Sequence, residues 1–330
     1  MGGVVRIRNF SHSGVNRARF AASAKNGNTS SRALGVNALR AISPVRRAGR
    51  GRAFAFAVVD ETMCNFTFKT LHRYTETKAP IMQLEGKVCL VTGGTKGIGA
   101  AAALELARQG ADVAINGRYD DEEARAVKAE IEELGRKCDI VVADVSLPAD
   151  AKRAVDDTVA QLGSVDVLVH SAGGLVAGGL LDLTEMEWMA GFDIHVHAIF
   201  HLSRAVIPHM RERGEGSIIL ISSTAGKLAA AAHTAYQVVK GAIPQFARAL
   251  AREFADDNIR VNCVAPGVIR TRFHKDMPEE MKQNNLDNRI PLHREGTTAQ
   301  VATLIAELVK NDYITGDTVT IDGGLTMRIA

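Results

Sequence analysis

The feature that most constrains this chain is a short valine-rich run, Lys87-Val-Cys-Leu-Val-Thr92, leading directly into the glycine turn Gly93-Gly-Thr-Lys-Gly-Ile-Gly99. Ala100–Gln109 follows, rich in alanine and leucine with helical spacing. The run predicts a buried strand, and the whole reads as strand, tight turn, helix. Glycines in such a turn let the backbone bend sharply and approach a pyrophosphate, which rests on the helix N-terminus. The spacing is G-x-x-x-G-x-G through Gly93, Gly97 and Gly99, rather than the commoner G-x-G-x-x-G.

The next unit bears on which dinucleotide fits. Asp112–Asn116 predicts a second strand, followed by Gly117, Arg118 and a helix from about Asp121. A free 2′-hydroxyl on the adenosine ribose calls for an acidic side chain at the end of this strand. Here Gly117 and then Arg118 stand there, with Lys96 inside the glycine turn. Two cations and no carboxylate suit a 2′-phosphate, so the expected cofactor is NADPH/NADP rather than NAD.

Further along, Tyr236 and Lys240 are four residues apart in a stretch, His233 to Asp256, dominated by good helix formers, so they share a helix face. Ser223 lies 13 residues before Tyr236, just after the apolar strand Ser217–Ile221, where its hydroxyl can project from the sheet's C-terminal edge. A free tyrosine has a pKa of about 10. A neighbouring ammonium favours the phenolate, so Lys240 is expected to lower the value for Tyr236 toward the range of a general acid–base.

These residues together resemble the short-chain dehydrogenase/reductase family from Leu84 to about Ile329. Thr92–Gly99 matches the family's T-G-x-x-x-G-x-G, and Ser223, Tyr236 and Lys240 match its catalytic set. Asp144, in Ala-Asp-Val145-Ser, matches the aspartate that contacts the adenine end. Pro266, Gly267, Val268, Ile269 and Thr271 match the segment that holds the nicotinamide amide, and Ile314–Gly324 matches the closing strand. The resemblance implies a single doubly wound α/β domain of the Rossmann type, with a parallel seven-stranded sheet and helices on both faces. It implies that Tyr236 donates the proton in ketone reduction, Ser223 holds the carbonyl oxygen, and Lys240 holds the nicotinamide ribose and tunes Tyr236. Thr95, Lys96, Ile98, Val145, Ser171, Ala172 and Gly173 join the cofactor-binding set by the same matching.

Two departures stand out. The family's Asn-Asn-Ala-Gly reads His170-Ser171-Ala172-Gly173 here, and His195 replaces a catalytic asparagine credited with holding a water that feeds protons to the lysine. His195 either serves that relay, through its carbonyl or its imidazole, or fills the space. His197 and His201 are four apart without an accompanying carboxylate motif, so no metal site is expected.

Charge divides the 330 residues in two: residues 1–81 hold 14 Lys/Arg and 3 Asp/Glu, whereas residues 82–330 hold 26 Lys/Arg and 34 Asp/Glu. The acidic 249-residue part gives no reason to expect nucleic-acid binding, and no apolar run reaches membrane-span length. The basic part reads as a mitochondrial or plastid transit peptide, as a nucleic-acid-binding arm, or as sequence upstream of the natural start at Met82. The last reading is favoured here and implies a cytoplasmic enzyme; on any of these readings the extension is expected to be disordered and irrelevant to the chemistry. Cys64, Cys89, Cys138 and Cys263 are scattered without metal or disulfide spacing, as in a reducing compartment.

Substrate choice falls to Leu175–Phe192 and Arg270–Arg294. The second mixes Phe273, His274, Met277, Met281 and Leu286 with charges, as in a lid over an apolar pocket. The segment from Ile290 to Ala302 resembles β-ketoacyl-acyl-carrier-protein reductases and related sugar dehydrogenases. That implies a small-molecule partner: a 3-ketoacyl thioester or another small ketone, or an alcohol or sugar if the site works oxidatively. A non-catalytic NADP(H)-binding regulator is the reading from another class. Enoyl reductases of the family space their tyrosine and lysine more widely. Relatives commonly form homotetramers through two long helices, here about Glu185–Arg213 and His233–Asp256, and the C-terminal strand.

Overall fold

The computed structural model describes residues 82–229, 232–274 and 277–327. The extension expected over 1–81, and Cys64 within it, lie outside the described residues. Seven strands form one parallel sheet: β1 (Val88–Thr92), β2 (Asp112–Gly117), β3 (Cys138–Val142), β4 (Val167–His170), β5 (Gly216–Ile221), β6 (Ile259–Pro266) and β7 (Thr318–Ile321). Their order is β3-β2-β1-β4-β5-β6-β7. This is the expected doubly wound sheet, with the ends of β1, β2 and β5 within one residue of those read from the sequence.

Strand alternation builds two cores. Cys89, Val91, Val113, Ile115, Val167, Val169, Ile219 and Ile221 face one side, packing on α1 (Gly97–Arg108), α2 (Glu122–Glu133) and α8 (Thr298–Lys310). Leu90, Ala114, Leu168, Ile218 and Leu220 face the other, against α3 (Pro148–Leu162), α5 (Ala198–Arg213) and α6 (Thr234–Glu253). Successive side chains in a strand point to opposite faces, so near-continuous apolar strands serve both layers. Helix starts are set locally: the Asp121 carboxylate accepts from the Ala124 amide, and Thr184 and Thr297 form capping boxes with Glu187 and Gln300.

The single long helix expected over Glu185–Arg213 is corrected. The chain forms α4 (Glu185–Phe192), a π-turn over Asp193–His197, and then α5. Apolar spacing does not distinguish one widened turn from a regular helix. The turn is held by hydrogen bonds to His170 and to the Gly174 carbonyl, described below. Between Arg270 and Arg294 the described residues include a short helix, α7 (Glu279–Asn284), and a second π-turn, Asn285–Arg289.

The strand order reverses between β1 and β4, whose ends Thr92 and His170 are register partners. Ligands in open α/β sheets bind outside the carboxyl ends of the strands at such a switch point.

Candidate active site

The glycine turn sits at that point, and its glycines do different work. A Cβ on Gly99 would meet the Gly93 carbonyl oxygen at 2.1 Å, and one on Gly93 would meet Ala172 at 2.9 Å. These two positions are closed by the protein's own backbone. Gly97, at φ +59°, faces open space, its nearest neighbour being Thr271 Cγ2 at 3.9 Å. Lys96 begins α1 in an extended conformation, and no side chain caps the helix. The first-turn amides, those of Gly97, Ile98 and Gly99, therefore stand available to an anion, with the positive end of the helix dipole behind them. This donor set fits a dinucleotide pyrophosphate.

β2 ends beside this turn: the Gly94 amide donates to the Asn116 carbonyl at 3.0 Å, and a Cβ on Gly117 would strike Thr95 Cγ2 at 2.7 Å. Lys96 and Arg118 thus border one corner. Arg118 lies over the Tyr119 ring at 6.0 Å and has no ion pair among the described residues. The expectation of cations without a carboxylate needs correction, because Glu123, in the first turn of α2, reaches Lys96 Nζ at 3.9 Å. Its other carboxylate oxygen binds Arg272, in the short turn Arg272–His274 that follows Thr271.

The chemical residues meet across β5 and α6. Ser223 follows β5, its hydroxyl accepts from the Ala225 amide at 3.1 Å, and it is hydrogen-bonded to the Tyr236 hydroxyl. Lys240 is buried; its Nζ donates to the Ile221 carbonyl at 2.9 Å and stands 5.7 Å from the Tyr236 ring centre. Burial lowers its pKa to about 8, with Cys263 opposing slightly. The expected depression of the Tyr236 pKa is not seen. Burial raises it above the ordinary phenol value, and the Ser223 hydrogen bond only partly offsets this. Sequence spacing puts lysine and tyrosine on one face but does not reveal that desolvation outweighs the distant ammonium.

His195 is buried in the π-turn, its ring edge-on to Tyr236 at 5.9 Å. Nε2 donates to the Gly174 carbonyl at 2.9 Å, since a carbonyl only accepts, so Nδ1 carries the lone pair, and that atom is buried without a partner. Burial, then the Lys240 charge, lowers its pKa to about 3, so the ring is neutral. A Cβ on Gly173 would lie 2.1 Å from the His195 ring, so the imidazole and the glycine are fitted to each other.

The remaining expected residues line the same edge in unequal ways. The Ser171 amide donates to the Thr92 carbonyl at 3.1 Å and the Ala172 amide to the Thr92 hydroxyl at 3.3 Å. Asp144 turns one carboxylate oxygen back onto Ser146, at 2.6 Å from its hydroxyl, and Val145 is buried. Beyond β6, Gly267 has no room for a Cβ, which would lie 2.7 Å from Asp322. Pro266, the last residue of β6, is buried and Ile269 packs into the core, leaving Val268 and Thr271 at the rim.

Sequence reasoning noted His170 only as a departure. In the structure its Nδ1 accepts from the Thr92 hydroxyl at 2.9 Å and its Nε2 donates to the Ile194 carbonyl at 3.2 Å. Phe273, half-exposed in the segment after β6, lies 6.0 Å from the Tyr236 ring, a second aromatic neighbour beside His195.

Comparison with known proteins agrees with this geometry. Residues 93–326 match a family described as enoyl-(acyl carrier protein) reductase. A 3-oxoacyl-acyl-carrier-protein reductase of Thermotoga maritima is 37% identical over 248 residues, 74% of this chain and all of that one. Dehydrogenase/reductase SDR family member 4 of Oryctolagus cuniculus is 36% identical over 250 residues, 74% of this chain and 96% of that one. A crystal structure of a short chain dehydrogenase from Burkholderia cenocepacia, in complex with NADP, superposes with a TM-score of 0.69 at 35% identity, covering 74% of this chain and all of that one. The chain belongs to the short-chain dehydrogenase/reductase family and is an oxidoreductase of that family.

Proposed function

We propose that the protein reduces a ketone, with 3-ketoacyl thioesters as the leading substrate class, using NADPH. The observation that carries this reading is the hydrogen-bonded Ser223–Tyr236 pair beside buried Lys240 at the switch point of the sheet. NADPH bound along the glycine turn supplies the hydride. Ser223 holds the carbonyl oxygen, and Tyr236 gives that oxygen its proton as the carbonyl carbon is reduced to the alcohol. The raised Tyr236 pKa keeps the phenol protonated at neutral pH, as a donor must be. Lys240, largely protonated at pH 7, restores charge balance to the tyrosine and orients the ribose. The 3-oxoacyl-acyl-carrier-protein reductase of Thermotoga maritima and the NADP complex from Burkholderia cenocepacia support the substrate class and the cofactor.

In this reading residues 82–330 are the catalytic domain, working in the cytoplasm, with residues 1–81 as an extension outside the chemistry. The half-exposed β7 and the outward Phe200 and Val238 of α5 and α6 support assembly as a homotetramer. Among the described residues no helix is long and apolar enough to cross a membrane.

The test is NADPH oxidation by the full chain with a 3-ketoacyl thioester, a small panel of ketones, and an enoyl thioester. Turnover of the ketoacyl substrate, lost in Tyr236→Phe, supports the proposal. Turnover of the enoyl thioester alone, or of alcohols alone with NADP, replaces it with another activity of the same fold. Cofactor binding without turnover of any of these leaves the regulatory reading.

A further inference from the structure

Glu123 is a carboxylate in a corner that the sequence had assigned to cations. It is in the first turn of α2, one third exposed, and bridges Lys96 of the glycine turn and Arg272 of the segment after β6. Arg118, across the same corner, has no acidic partner among the described residues. The close approach of Gly117 to Thr95 brings the end of β2, which Arg118 follows, against the turn carrying Lys96. The cations that would receive a 2′-phosphate are thus already divided: one free, one paired at 3.9 Å with a residue of the chain itself.

We propose that Glu123 sets how strongly the enzyme prefers a 2′-phosphorylated cofactor, by competing with that phosphate for Lys96 and by standing as a like charge beside it. This rests on the cofactor reading above. A phosphate monoester entering the corner meets Lys96 already paired and a like charge beside it, both of which weaken its binding. A cofactor with a free 2′-hydroxyl brings no charge to the corner and pays neither cost. Glu123 therefore narrows the gap between NADPH and NADH that Lys96 and Arg118 would otherwise open. The pairs are exposed, Lys96 at 64% and Arg272 at 76%, so the effect is modest and salt-dependent.

The test is direct binding by titration calorimetry to the full chain, requiring no substrate. NADPH and NADH are measured on wild type and Glu123→Gln, with 2′,5′-ADP and 5′-AMP as adenosine halves. Removing the charge is expected to tighten NADPH and 2′,5′-ADP by about threefold to tenfold at low salt, with NADH and 5′-AMP little changed. The gain shrinks at 0.5 M salt, about where screening lengths fall to the separation of the pairs. Glu122→Gln alters the same helix terminus at a residue without an ion pair among the described residues, and is expected to leave the ratio unchanged. Unaltered or weakened NADPH binding in Glu123→Gln overturns the proposal while leaving the cofactor reading intact. A protein that binds neither dinucleotide overturns both.

Discussion

His170 donates from Nε2 to the carbonyl of Ile194 at 3.2 Å, tying the end of β4 to the π-turn that carries His195. Its other nitrogen is engaged by Thr92 at the end of β1, so one fully buried ring joins three elements around the switch point. His170→Leu would take away the acceptor of the buried Thr92 hydroxyl and the side-chain donor to the Ile194 carbonyl, at a cost of about 2–4 kcal/mol. His170→Asn offers both a donor and an acceptor and is expected to lose less. Urea unfolding of the two variants checks the order.

The same burial makes the fold sensitive to acid. His170 and His195 have pKa values lowered to about 4 and about 3 by desolvation and by the Lys240 charge. An unfolded histidine titrates near 6.5, so between pH 6.5 and 4 the unfolded chain binds more protons than the native one. Stability is therefore full above about pH 6.5 and declines as pH falls. The contribution from His170 alone is of order 3 kcal/mol by pH 4. Thermal unfolding across this range is expected to show a shallower slope in His170→Asn than in wild type.

Tyr236→Phe removes the proton donor while keeping the ring that meets His195 and Phe273. A decrease in kcat of about 10²–10⁴ is expected, with NADPH affinity nearly unchanged. Ser223→Ala loses the hydroxyl partner of Tyr236 and is expected to lower kcat by a similar order. Single-turnover kinetics with bound cofactor separates these losses from binding.

Gly173→Ala has two reasons to fail. Gly173 sits at φ +143°, and its added methyl would overlap the His195 ring. Loss of at least about 2 kcal/mol of stability is expected. A second change, His195→Ser, should restore part of it by removing the clash but not the backbone strain, a non-additivity that a double-mutant cycle reads.

Arg260 gives a prediction away from the chemistry. Its guanidinium is buried and donates to the carbonyls of Leu308 and Asn311 at 2.8 Å each, and to Val309. It closes the C-terminal end of α8, where unpaired carbonyls and the helix dipole favour a cation. Arg260→Met should cost about 2–4 kcal/mol in denaturant unfolding while leaving kcat/KM for the ketone unchanged under native conditions.

Much of the site was legible because its signals are local. Glycine spacing, a strand of valines before it, and a tyrosine four residues from a lysine are readable wherever they stand, since backbone reach and helix periodicity act over a few residues. The π-turn was not legible. One extra residue in a turn leaves the apolar pattern of Glu185–Arg213 nearly unchanged, and the groups that hold it, the His170 side chain of β4 and the Gly174 carbonyl of the loop after it, are distant in sequence.

The sequence by itself determined the order of strands and helices, the glycine turn, and the identities of Ser223, Tyr236 and Lys240. These follow from apolar alternation and from residue chemistry at short spacing. Only the tertiary structure decided the electrostatics. It raised the Tyr236 pKa, engaged Lys240 with the Ile221 carbonyl, made both imidazoles neutral, and set Glu123 between Lys96 and Arg272. Desolvation and charge pairing depend on which groups folding brings together, and residues far apart along the chain carry no local sign that they will meet.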